Sequence, residues 1–136
     1  MGLFGNLFGS KARTDAARML TSVPLDALEE VKDRILSDCA RRADWSQHAR
    51  ILIADRAKEV FYLILAARDL LRANRLERSD LDNIAILVEK ATAAEEQLAA
   101  QLDPLGPDAR DLRRELAKAF APCREAIVQL LPRQDG

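Results

Sequence analysis

One histidine, two cysteines and a row of arginines are the side chains of this sequence best suited to chemistry. His48 is the sole histidine. A di-iron bundle site, which takes a Glu-x-x-His from each of two helices, is therefore excluded. A lone histidine can still exchange protons or accept a phosphoryl group. Cys39 and Cys123 fall on the apolar stripes of separate expected helices, where thiols pack as small hydrophobes in a reducing compartment instead of pairing. Arg68, Arg72, Arg75 and Arg78 descend one side of an expected helix end, a patch able to hold an anion, a lipid headgroup or a partner. Asp69, Glu77, Asp80 and Asp82 are interleaved with them, and the helix dipole alone favours cations there. The run DLDN at 80–83 has the acids of a calcium loop without the glycine such a loop needs at its sixth position. No P-loop, dinucleotide fingerprint or nucleophile elbow is present. No catalytic residue, cofactor, metal or small-molecule substrate is expected.

His48 carries one enzymatic alternative. Phosphotransfer domains are four-helix bundles with one exposed histidine, followed at the third and fourth positions by small or basic residues that leave room for the phosphoryl group. Here those positions hold Ile51 and Leu52, so the pattern is not met. A phosphotransfer-like bundle stands as the second alternative.

The other candidate site is apolar. In GLFGNLFG, residues 2–9, a helical arrangement would gather Leu3, Phe4, Leu7 and Phe8 into one ridge with glycines opposite. Burying four such side chains gains ~6–12 kcal/mol gross. Ordering eight backbone residues, glycines among them, costs about as much at ~1–2 kcal/mol each. The ridge therefore holds a shape only against an apolar surface supplied by another protein, a second copy, its own bundle or a membrane. Lys11, Arg13 and Arg18 just behind it suit an interfacial anchor. The pattern for N-myristoylation is missing, because Asn6 occupies the sixth position, where Ser or Thr is required.

These residues must be positioned by helices. Residues 10–20 read as a short helix behind the arm. A first bundle helix spans about 23–43, burying Leu25, Leu28, Val31, Ile35, Leu36 and Cys39 at spacings of three and four. A second runs from 45 to about 75 with Asp44 as its cap. Its octet Val60–Ala67 makes it the central post, and a narrow wet edge passes through Tyr62. Trp45 is placed at the corner as a plug over the core, with a partner-binding hot spot as the alternative. A third helix spans about 80–102, opened by Ser79 and Asp82 as a capping box, and carries Leu81, Ile84, Leu87, Val88, Ala91, Ala94 and Leu98 inward. After the tight DPLGPD connector a fourth buries Leu112, Leu116, Phe120, Cys123, Ile127 and Leu131. Pro122 interrupts that stripe without stopping it, so a kink is expected. The excess length of the second helix leaves residues 68–78 overhanging near the arm.

The fold expected is all-α: a four-helix, mostly antiparallel up-down bundle with an additional short N-terminal helical arm. Residues 1–21 form the arm and short helix, 22–132 the bundle and 133–136 a tail. Hydrophobic content of 49% with 4% aromatics and 32% charge suits such a bundle. A net charge of −1 sets up no field for phosphate backbones, so nucleic acid is not an expected partner. No apolar run reaches the ~18–20 residues of a spanning helix and no secretory leader is seen, which points to the cytoplasm or, peripherally, the inner face of its membrane. The dominance of arginine over lysine suits a GC-rich bacterial genome. The function expected is a non-enzymatic interaction, adaptor or assembly module that docks or oligomerises through Leu3, Phe4, Leu7 and Phe8. The alternative is a peripheral membrane protein anchored reversibly by the same ridge.

Overall fold

The computed structural model describes residues 25–72, 76–129 and 131. The N-terminal arm, the short helix at 10–20, Arg75 and the tail lie outside the described residues. What is described is a bundle of four helices: α1 (Leu25–Arg41), α2 (Gln47–Leu71), α3 (Arg78–Leu102) and α4 (Pro107–Val128), with a 3₁₀ turn at Asp103–Leu105 before the last. Each helix packs on its chain neighbour, and α1 closes the ring against α4, with a smaller diagonal contact between α2 and α4. The cross-helix pairs descend in one helix as they ascend in the other. Arg34 meets Glu115 and Arg42 meets Asp108 between α1 and α4. Lys32 meets Phe61, and Arg50 reaches the Cys39 carbonyl, between α1 and α2.

The core follows the three-and-four spacing. Leu28, Ile35, Ile53, Ile64, Ile84, Leu98, Leu116 and Ile127 are among its fully buried side chains. Leu36, Leu81, Leu87 and Leu131 of the expected stripes are only partly buried. α2 is the central post, with 25 residues against the 17 of α1. Its octet has Tyr62 as the exposed member.

Three expected boundaries are corrected. α2 is capped by Ser46, not Asp44: Ser46 is extended (φ −61°, ψ 150°) and its Oγ accepts the Ala49 N–H at 3.1 Å. Asp44 is engaged elsewhere, accepting from Arg42 Nε and Nη2 at 2.9 Å each. α2 also ends at Leu71, short of 75, as the Arg72 N–H is shared between the Arg68 and Asp69 carbonyls at 3.1 and 3.2 Å. α3 begins two residues earlier than Ser79 would place it. Glu77 is the cap, and its N–H donates to Asp80 Oδ2 at 2.9 Å, leaving Ser79 and Asp82 exposed.

α4 starts with Pro107 behind Gly106, whose φ of +116° is the single positive-φ position among the described residues. That backbone region favours glycine. Pro107 fits the first turn, where its missing N–H would have had no partner. The helix then runs through Pro122 to Val128. Cys123, Ala126 and Ile127, all past the proline, are buried, and their burial offsets its lost backbone bond.

Candidate functional site

The bundle leaves one edge of α2 open, with large apolar side chains among its polar ones. Positions 48, 51, 52, 55, 59 and 62 fall within one side of a helix of 3.6 residues per turn, and all six are exposed. Among them Ile51 is 54% exposed, Leu52 37% and Tyr62 54%, three of the five exposed large hydrophobics among the described residues. The other two, Ile86 and Val128, stand alone on α3 and α4. Ile51 and Leu52 flank Asp55 at one end of the row. Tyr62 lies eleven residues further, about 16 Å along the axis at 1.5 Å per residue.

The row is held by what lies beneath it. Ile53, Ala57, Val60 and Phe61 face inward from the same turns. The Tyr62 ring stands edge-on to Phe61 at 5.3 Å and 75°. Lys32 from α1 is buried at 8% exposure, the one charged side chain in the core among the described residues. Its Nζ lies 4.5 Å from the Phe61 ring centre and 5.6 Å from that of Tyr62, and reaches Asp33 Oδ1 at 3.1 Å. A cation over two rings at these distances is attracted by their negative faces, which fixes Tyr62 against α1. Further along the edge Arg56 Nη1 pairs with Glu59 Oε2 at 2.7 Å.

Below the row, the α1–α2 corner is locked by Arg42. Its guanidinium grips Asp44 twice, donates to Asp108 Oδ2 at the start of α4 at 3.2 Å, and stacks 5.0 Å over Trp45. The hydrogen bonds from Arg42 hold the Asp44 carboxyl below the usual carboxylate range and raise the already high Arg42 value. Trp45 itself is 2% exposed. It plugs the end of the core and offers no surface to a partner, so its expected alternative as a hot spot is not supported.

The remaining candidates separate. Arg68 is half-buried and its Nη2 meets Asp69 Oδ1 at 3.2 Å. Arg72 and Arg78 are exposed, and Arg75 lies outside the described residues. His48 is exposed in the first turn of α2, with Ile51 and Leu52 one turn on. Cys39 and Cys123 are buried thiols, and Cys123 Sγ donates to the Ala119 carbonyl at 3.5 Å. Burial pushes both thiols up to about 11, with Asp38 adding to the rise at Cys39 and Arg50 opposing it. Among the described residues no group of three or more His, Cys, Asp or Glu side chains could hold a metal ion. No helix there is long and apolar enough to cross a membrane.

Sequence reasoning saw the wet edge at Tyr62 but not its continuation to Ile51 and Leu52. The available sign was helical: carrying the line of Asp55, Glu59 and Tyr62 back one turn lands on both residues. No protein-family model matches the chain, and neither a curated protein nor a solved structure does, so its own side chains are what speak to function.

Proposed function

We propose that this chain is a non-enzymatic interaction module whose bundle presents the outer edge of α2 to an amphipathic segment of another protein. The observation that carries the reading is the exposed row of Ile51, Leu52 and Tyr62, its Tyr62 end braced by Phe61 and Lys32. Burying the open halves of three such side chains gains about 1 kcal/mol each. A micromolar complex needs about 8 kcal/mol. The row therefore sets position and register, and a partner adds polar contacts to Asp55, Lys58 and Glu59 around it. Such a surface supports reversible adaptor traffic, with apolar anchors at helical spacing as the mode of recognition.

The test compares proteins co-purifying with the native chain and with the double variant Ile51→Glu, Leu52→Glu. Both side chains are exposed, so the variant keeps its stability within about 0.5 kcal/mol. Loss of a stoichiometric companion with the fold intact supports the reading, and identical companion sets refute it. A second reading is favoured by the Leu3, Phe4, Leu7, Phe8 ridge with Lys11, Arg13 and Arg18 behind it: reversible attachment to an anionic membrane surface. Flotation with anionic vesicles that is abolished by deleting residues 1–9 would select it.

A further inference from the structure

We infer that the α2 row is covered, in the free protein, by this chain's own N-terminal ridge, so that residues 3–8 act as a built-in competitor for the docking face. The inference rests on the proposed interaction role and adds a regulator to the same site. Its first support is reach. Lys32 lies level with Phe61 and Cys39 with Arg50, so Leu25 stands fourteen residues of α1, about 21 Å, from the level of Ile51. The chain from Gly9 to Pro24 must bridge that distance. Those sixteen residues span about 22 Å even as one continuous helix and about 50 Å fully extended, so the distance is within reach in either case.

The second support is complementarity along that path. A ridge seated on Ile51 and Leu52, with the chain returning toward Leu25, brings Lys11 and Arg13 toward Asp55, the exposed acid of the row that Arg56 does not hold, Glu59 being paired with Arg56. Elsewhere among the described residues the large exposed hydrophobics are one per helix, Ile86 and Val128, whereas α2 carries the adjacent pair Ile51 and Leu52. The third support is the tether. A row too weak to hold a free partner by itself suffices for a segment kept at an effective concentration in the millimolar range by a short linker. The same weakness lets a better-matched partner displace it.

The test uses the full chain with a nitroxide on Asn6→Cys, a position off the Leu3, Phe4, Leu7, Phe8 ridge. Cys39 and Cys123 are buried and escape the label. The inference expects the amide signals of residues 48–55 to lose intensity while those around Ile86 and Val128 keep theirs. The loss should disappear in the Leu7→Asp, Phe8→Asp variant. Undiminished α2 signals overturn the inference, as does a loss that survives that variant. So does a loss seen when spin-labelled chains are mixed with separate isotope-labelled ones, since the occupant is then a second copy. The two readings fail separately. A silent spin label removes the competitor and leaves the docking face, whereas unchanged companions of the Ile51→Glu, Leu52→Glu variant remove the partner and leave the arm in place. If both hold, deleting residues 1–9 increases companion capture severalfold.

Discussion

Replacing Trp45 with alanine distinguishes a side chain that builds the bundle from one that serves a partner. Trp45 is the single tryptophan of the chain and 2% exposed. An indole buries roughly 150–250 Å², which at ~25 cal/mol per Å² corresponds to about 4–6 kcal/mol. Alanine keeps the first carbon and leaves a cavity the corner cannot close, because Arg42 ties it to Asp44 and Asp108. The expected loss is about 3–5 kcal/mol, a large share of the 5–15 kcal/mol typical of a domain. With a urea dependence of about 2 kcal/mol per molar, the unfolding midpoint followed by far-ultraviolet circular dichroism falls by about 2 M. Trp45→Phe serves as the companion. It keeps a ring in the corner and removes an indole N–H that has no acceptor among the described residues. An unpartnered buried donor costs about 1–3 kcal/mol, which offsets the lost area and holds the net change to about 1 kcal/mol. A Trp45→Ala protein within 0.5 kcal/mol of the native chain, the range usual for surface positions, would refute the reasoning and return Trp45 to the interface.

Pro122→Ala should raise stability by about 1–3 kcal/mol in urea unfolding, because α4 is continuous across that position and regains a backbone donor and helix propensity; a loss would mean that the proline shapes how Cys123 and Ile127 enter the core. The two thiols, pushed up to about 11 by burial, are about one-thousandth ionised at pH 8. They should therefore react with a disulfide reagent only after denaturation, and fast labelling of the native chain would contradict their burial. Glu95 is raised above its ordinary value by burial first and by Glu96 second, with Arg113 opposing. Folding thus favours its protonated form, and its contribution is best below the ordinary glutamate range and declines as pH rises through the folded value. Glu95→Gln should raise the melting temperature at neutral pH, and the difference should close in acid.

The parts of the fold legible in the sequence are those where spacing and burial agree. Leu28, Ile35, Ile84, Leu98, Leu116 and Ile127 lie on single stripes, and each stripe has one inward direction. Helix starts were less legible because capping is decided by competition. Asp44 and Ser46 are both good caps, and the choice fell to Ser46 once Arg42, set by its contact with Asp108, had taken the Asp44 carboxylate. At α3 the pair Glu77 and Asp80 displaced Ser79 and Asp82, a contest of two-residue registers that local pattern leaves open. The exposed row on α2 was hidden for a related reason. Ile51, Leu52 and Ile53 are consecutive apolar residues, and a helix can turn only one of three neighbours fully inward. The placement of α1 and α3 gives that position to Ile53, which is wholly buried, and leaves its two predecessors outside.

That selection explains why the edge is open without the bundle being loose. α1 lies on one flank of α2 and α3 on the other, while α4 closes the ring across the diagonal, so no fourth neighbour remains for the outer side. For α1 to roll over Ile51 and Leu52 it would have to give up the Arg42 grip on Asp44 and Asp108, the Arg34 contact with Glu115 and the seat of Lys32 between Phe61 and Tyr62. Exposed pairs of this kind are individually weak, but they act at the middle and at the C-terminal end of one short helix, and the apolar face of that helix is already committed through Leu28, Val31 and Ile35. Under the function proposed above, any cover for α2 therefore comes from outside the four helices. The competing occupants, another protein and this chain's own leading residues, are distinguished by tether and affinity, since the frame that presents the row is the same for both.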